Sequence, residues 1–412
     1  MSSVVSGYTQ RRANRERVIA ALRRQGAMTR AALADVGLAR STVQSVIEEL
    51  AAAGVVIEIG PDAASGIGRP PILVGLRGSL GVTVGVEIAN WTTRVVVCDL
   101  AQEPLLHTST PTDERADPVT TLTRASAQID EALARTGFRR DQVLGVGIAL
   151  PGPIQRRTGL TGRACTLKPF VGVNCRELAR DVLRLPVLVD NDANLAAIAE
   201  VTWGAAKGCR DLAYVYSATG IGVGFIVNGE LYAGANGTAG EIGHTTIDEN
   251  GLVCECGGRG CLNTLANPDA IIHNLKQSHG TDLTIADVIA LAHGGDAGCR
   301  RVLADAGRHI GVATANMYNL LDPELIVIGG SLAPAGQILI DPLCKSIARR
   351  AIHAGEAIPP VIAGELGEQA VVTGAAAAVL ADAATFPLPL YLDDRRAQRR
   401  PTQPTALPQK VE

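Results

Sequence analysis

Between Leu185 and Gly204 the chain reads "LPVLVDNDANLAAIAEVTWG". The opening apolar run is short and valine-rich, as a buried strand is, and the alanine-rich stretch after Asn194 is long enough for a helix. Asp190, Asn191, Asp192 and Asn194 crowd the junction. Strand, polar loop and helix in that order are the building unit of α/β folds. At such a strand end, amide and carboxylate groups can grip sugar hydroxyls, and a carboxylate can take a proton from a hydroxyl attacking phosphate. A D-N-D triplet also serves as a plain polar turn or helix cap. These residues alone leave both readings open.

The same pattern extends in both directions. "VTVGVEI" (82–88) and "TTRVVVCDL" (92–100) predict a hairpin of half-buried strands with Glu87 near its tip, and "QVLGVGIAL" (142–150) a strand ending in "PGP". "DLAYVYSATGIGVGFIVNGELYAG" (211–234) predicts a second long hairpin, and "PELIVIGGSL" (323–332) a strand followed by a glycine turn. In such folds ligands gather at the carboxyl ends of strands, where glycine loops let backbone amides approach phosphate.

With 412 residues, 47% of them hydrophobic, the chain is long enough for more than one domain and a substantial core. Aromatics supply only 3%, so alanine, valine, leucine and isoleucine must build that core. No apolar run approaches the roughly 20 residues of a membrane span, and the polar, then basic, start lacks the apolar stretch of a secretory signal. Nine cysteines without disulfide-like regularity suit a reducing compartment. The expectation is a cytoplasmic protein without membrane partners.

The net charge of −3 is unevenly spread. Residues 1–80 hold ten arginines against six acids, a balance of +4 that leaves −7 for the remainder. A basic segment on an acidic body fits nucleic-acid contact confined to one end, although a solvated arginine-rich face would give the same count. Helical patterning favours the first reading. "RERVIAALRRQG" aligns Val18, Ile19 and Leu22 and stops at Gly26. "TRAALADVG" starts with Thr29 as a cap, buries Leu33 and Val36, and breaks at Gly37. "ARSTVQSVIEELAAAG" follows, with Ser41 expected at the N-cap and Val43, Val46, Ile47 and Leu50 forming one apolar stripe. This is a helix-turn-helix, whose outer face begins with Arg40, Ser41, Thr42, Gln44 and Ser45. Glutamine there can read adenine and arginine guanine in a major groove. "GVVIEIG" and "PPILVGL" predict the strands of a wing, with Arg69 between them reaching a minor groove or phosphate. A helical domain used for protein contacts is the alternative.

The densest chemical signal is "EIGHTTIDENGLVCECGGRGCLN" (241–263). His244, Cys254, Cys256 and Cys261 would make a closed tetrahedral zinc set, leaving no position for a reactive water, so the metal would be structural. It would fix the loop that carries Glu241 and His244. Three unligated thiols in a loop are the alternative.

Taken together, "ALPGPI", "LPVLVDNDAN", "ATGIGVG", "AGEIGH", "CECGGRGCL" and "IVIGGS", in this order, resemble the ROK family (repressor, open reading frame, kinase) over about residues 80–385. The resemblance implies an actin-like, hexokinase-like fold of two lobes with sugar bound between them. It implies that Asn191, Asp192, Glu241 and His244 bind sugar, that Asp192 matches the kinases' catalytic base, and that His244, Cys254, Cys256 and Cys261 hold Zn2+. A winged helix-turn-helix ahead of such a body looks like the repressor branch, which includes xylose and N-acetylglucosamine regulators.

Two departures bear on activity. Sugar kinases of the family carry D-x-G-G-T at the first phosphate loop, whereas this chain has Glu87, Ile88, Ala89, Asn90 and Trp91. Side chains replace glycines where phosphate must come close, and the threonine hydroxyl is lost. Asn263 stands where kinases have glutamate after "GCL", which should alter sugar affinity or preference. The expectation is a flexible N-terminus (1–12), a winged DNA-binding domain (13–78), a two-lobed sugar-sensing body (79–385) and a disordered tail (386–412). Such a chain regulates transcription, probing operator DNA as a homodimer or homotetramer in response to a sugar or sugar derivative, without catalysis. An ATP-dependent sugar kinase that keeps a DNA-binding domain is the competing reading.

Overall fold

The computed structural model describes residues 2–35, 37–61, 70–352, 358–382, 385–386 and 388. The described residues fall into two compact units. One holds the chain up to Arg77 together with described residues after Asp382, and the other runs Gly78–Asp382. The body therefore closes three residues earlier than its sequence suggests, because the chain after Asp382 rejoins the first unit.

In the first unit α1 (Ser2–Gln25) is followed by β1 (Met28–Thr29), α2 (Arg30–Ala34), α3 (Arg40–Ala52), β2 (Val56–Pro61) and β3 (Ile72–Leu76). β3 pairs antiparallel with both β1 and β2. Two short helices, α2 and α3, are thus followed by the antiparallel pair β2 and β3. Residues 2–12 differ from expectation, since α1 already begins at Ser2. Thr29 caps α2 as predicted, its hydroxyl accepting from Ala32 N at 3.1 Å. Ser41 does not cap α3. Ala39, held extended, takes that position without a side-chain bond, so Arg40, Ser41 and Thr42 form the first helical turn. Val43, Val46, Ile47 and Leu50 are buried as the stripe requires. Val36 and Arg69 lie outside the described residues, as does the tail beyond Leu388. Phe386, placed by the sequence at the start of that tail, is buried, and its carbonyl accepts from the buried Arg23 guanidinium at 2.7 Å.

The second unit repeats one topology. Its first sheet contains β4 (Val82–Ile88), β5 (Thr92–Asp99), β6 (Pro104–Pro111), β7 (Val143–Leu150) and, beyond the short ribbon β8 (Ile154–Gln155) and β9 (Leu160–Thr161), β10 (Val187–Asn191). Its second contains β11 (Leu212–Ser217), β12 (Ile221–Val227), β13 (Glu230–Leu231), β14 (Leu325–Gly330) and β15 (Val361–Ala363). The sheets are ordered β10-β7-β4-β5-β6 and β13-β12-β11-β14-β15. In each, three consecutive strands form an antiparallel meander and two more add in parallel beside the first. Such duplication makes the two lobes of an actin-like fold.

Helices complete the lobes. α4 (Pro118–Thr136) and α5 (Cys175–Leu183) cover the first sheet. α7 (Asn263–Ala266), α8 (Pro268–His279), α9 (Ile285–His293), α10 (Ala297–Leu321) and α11 (Gln337–Ala348) pack on the second. α6 (Asp192–Thr202) and α12 (Ala370–Ala381) run between the sheets. α12 is apolar all round, and every residue from Ala370 to Leu380 is buried. Its close approach depends on two glycines. Gly85 and Gly147 are register partners on adjacent strands, and a Cβ on either would overlap a carbonyl of α12 (Val372 and Ala375). β4, read as half-buried, is buried along its whole length for this reason. It lies beneath α12 on one side and the α4 core on the other.

Candidate functional site

The carboxyl ends of β7 and β10 meet the β11–β12 turn and the loop after β13 around a cleft. Asn191, Asp192, Glu241, His244 and Asn263 all line it, so the structure brings the five sugar-binding candidates together.

Asn191 is the N-cap of α6. Its Oδ1 accepts from Ala193 N at 2.9 Å and Asn194 N at 3.3 Å, while Nδ2 donates to the Gly152 carbonyl at 2.9 Å. The cap reading of the D-N-D triplet thus holds for Asn191 alongside its place in the cleft. Asp190 is structural: fully buried, it accepts from Asn194 Nδ2 at 2.9 Å and pairs with Arg156 at 2.9 Å. Asp192 differs. One oxygen accepts from Ala193 N at 2.9 Å, and the side chain faces the cleft. Burial pushes its pKa up to about 7, with the nearby Glu87 and Glu241 charges adding to the rise. Burial likewise lifts Glu241 to about 7. A carboxylate that titrates near pH 7 is suited to proton transfer.

Asn263 is anchored, its Oδ1 accepting from Ile221 N at 2.9 Å. Gly243 leaves it room, because a Cβ there would press on the same oxygen. His244 closes the η turn Ile242–His244 and points Nδ1 at Cys254 Sγ, 3.6 Å away. Cys256 and Cys261 sulfurs are 3.7 Å apart, and the four ligand atoms lie within 4.8 Å of one another. Zinc–ligand bonds of about 2.0–2.3 Å set the corners of a tetrahedron roughly 3.6–3.8 Å apart, so these residues can hold a metal ion. Gly258 packs closely on the cluster, since a Cβ there would lie 3.3 Å from both Cys256 and Cys261 sulfurs.

The first hairpin tip carries residues whose full role the sequence left hidden. Asn90 is buried and spans the cleft: its Oδ1 accepts from Thr166 Oγ1 at 2.8 Å and from Thr219 Oγ1, on the β11–β12 turn, at 3.3 Å. The Asn90 side chain thus ties the two lobes together. Glu87 is buried against Arg94 at 3.1 Å, and Arg94 also reaches Glu368 at 2.8 Å. Burial raises the Glu87 pKa while Arg94 pulls it back. Trp91 is exposed. Thr166 has no motif around it that would single it out, whereas Thr219 sits inside "ATGIG".

In the first unit, Arg40, Ser41, Gln44 and Ser45 are exposed on one side of α3, with Thr42 partly so. Gln44 Nε2 donates to Glu48 at 2.6 Å, one turn further on. Arg15 and Arg30 pair with Glu49 and Glu58, so part of the arginine excess serves the unit's own packing. No helix among the described residues is long and apolar enough to cross a membrane.

Comparison with known proteins bears on both units. The ROK family's sequence profile matches residues 83–382. A xylose repressor of Caldicellulosiruptor bescii is 28% identical over 85% of this chain and 91% of its own length. The DNA-binding transcriptional repressor Mlc of Escherichia coli is 27% identical over 82% of this chain and 86% of its own. A glucokinase of Halalkalibacterium halodurans is 33% identical, over 63% of this chain and 83% of its own. Among solved structures, a ROK family transcriptional regulator described as a homologue of E. coli Mlc superposes with a TM-score of 0.75 at 25% identity, covering 91% of this chain and 98% of that one. A ROK hexokinase from Thermus thermophilus superposes at 0.61 and 27% identity, over 72% of this chain and 97% of its own. The repressors match along both units, and the kinases along a shorter share.

Proposed function

The protein belongs to the ROK family, and from that premise we propose that it is a sugar-responsive, DNA-binding transcriptional regulator, a repressor of carbohydrate-use genes. The observation that carries this reading is the winged unit itself: it precedes the kinase-like body, and the repressor relatives span 81–90% of the chain with it. The first turn of α3 lacks a side-chain cap, so its free N–H groups and Arg40 are available to phosphate and base edges. Arg69 would anchor the wing. Two-fold pairing, as a homodimer or dimer of dimers, would give half-sites about a helical turn, or a multiple of it, apart.

The effector would be a monosaccharide or derivative held by Asn191, Asp192, Glu241 and His244, with xylose the first candidate on the names of the relatives. Asn263, a neutral amide already committed to Ile221 N, would bias the choice of sugar. One structural Zn2+ per chain, on His244, Cys254, Cys256 and Cys261, would fix the loop from which Glu241 and His244 reach the cleft. His244 can serve both roles, with Nδ1 toward the metal and its other nitrogen left for sugar.

Phosphoryl transfer is disabled in this reading. Asp192 keeps a base's pKa, but Asn90 fills space at the phosphate loop and Arg94 occupies the Glu87 carboxylate. Losing one preorganised donor costs about 2.7–4 kcal/mol of transition-state stabilisation, and several are altered here. The test pairs two assays on the full chain. Affinity for the gene's own upstream DNA should fall steeply with salt and drop with Arg40→Ala, and a coupled assay should find no sugar phosphorylation. A salt-independent affinity, or an unchanged Arg40→Ala, would remove the DNA-binding assignment, and robust turnover would favour the kinase reading.

A further inference from the structure

Away from the cleft, where α8 ends and α10 begins, His279, Asp296 and Cys299 converge. His279 Nε2 lies 3.2 Å from Asp296 Oδ2 and 3.9 Å from Cys299 Sγ, and the three ligand atoms fall within 4.8 Å of one another. We propose that these three side chains form a further metal site, taking a borderline divalent cation such as Zn2+ with water at the fourth position.

Each residue is already oriented by its backbone. Asp296 is the N-cap of α10 and spends Oδ1 on Cys299 N at 2.8 Å, leaving Oδ2 to face His279. His279 is the last residue of α8, and its Nδ1 sits 2.7 Å from Ser278 Oγ, which donates its own proton to the Leu275 carbonyl at 3.2 Å. Nε2 on the other side of the ring faces the Asp296 carboxylate. The buried sulfur of Cys299 lies beside them and supplies the third corner of the set.

Zinc bonds of about 2.0–2.3 Å to N, O and S place tetrahedral corners roughly 3.3–3.6 Å apart. The nitrogen–oxygen pair at 3.2 Å is close to this, and the nitrogen–sulfur pair at 3.9 Å would draw in slightly on binding. The hydrogen bond that orients a ligating imidazole through its second nitrogen is a general feature of such sites, and Ser278 supplies it here. Gly298 keeps the approach open, since a Cβ at that position would lie 3.2 Å from His279 Cε1 and 3.3 Å from Asp296 Oδ1. His279 and Asp296 side chains retain 20% and 34% of their exposure, which leaves a path for the ion and its water. None of these residues belongs to the cysteine loop, so the inference stands or falls apart from the zinc proposed there.

The test is elemental analysis of the full chain after loading with excess Zn2+ and gel filtration. The parent should carry one equivalent more than either His279→Gln or Cys299→Ser, and His273→Gln, an exposed histidine on the same helix, should match the parent. Asp296→Asn should keep the cap yet bind the ion more weakly. Loss of the extra equivalent with unchanged far-UV dichroism supports the site. Equal zinc content in the parent, His279→Gln and Cys299→Ser overturns it and leaves a histidine–carboxylate ion pair.

Discussion

Asp192 is held near pH 7 by burial at the end of β10, and that position carries a cost in stability. Its folded pKa lies above its ordinary value, so the folded protein binds the extra proton between about pH 4 and 7. The contribution to stability is therefore present at low pH and is lost as pH rises through the folded pKa. Asp192→Asn keeps an oxygen for Ala193 N and removes the buried charge. The variant should melt higher than the parent at pH 8, match it near pH 4, and show no effector response. Thermal unfolding across this range checks the prediction, and a variant less stable at pH 8 would show that the charge is compensated. The sequence made Asp192 visible, since a carboxylate between a valine-rich strand and an alanine-rich helix marks a strand-end site. The latch at Asn90 was not visible. It depends on Thr166 and Thr219, which lie 76 and 129 residues away and meet it only in the folded cleft.

Elements show a different balance. The strands were legible because alternation and valine content survive in each segment, but their environment was not. "VTVGVEI" alternates no differently from a half-exposed strand, and only its pairing with β7 and the approach of α12 bury it throughout. Gly147→Ala tests that approach. Its Cβ would collide with the Ala375 carbonyl, and overpacking of this kind costs about 1–3 kcal/mol, read as a lower denaturant midpoint. The start of α3 was misread for a related reason. Serine is the better cap by propensity, yet the extended Ala39 sets the helix two residues earlier than Ser41 would. The cysteine loop gives a third prediction. Cys256 is exposed, so Cys256→Ala should spare the core while removing bound zinc and, with it, the sugar response. Metal analysis alongside an effector titration separates this from a loop that holds without metal.

At the scale of the whole molecule, the chain passes between its two units twice, near residue 78 and again after Asp382. The second passage directly follows α12, the helix lying between the two sheets. An effector that favours closure of the lobes would thus bias the winged unit through two covalent connections rather than one. It can do so only by its differential affinity for the two states, typically worth about 1–3 kcal/mol. The first connection was evident from the change of pattern near residue 80. The second was hidden, because a proline-rich, charged terminus reads as disordered and only the burial of Phe386 beside Arg23 reveals an anchor. Control of DNA binding by a sugar in the cleft is measured by titrating the full chain onto its own upstream DNA with and without xylose and related monosaccharides, for the parent and Asp192→Asn. One sugar should shift the parent's affinity by about 5–150-fold and leave Asp192→Asn unmoved, with sugar-free binding alike in both. An equal sugar-dependent shift in Asp192→Asn would contradict control from the cleft.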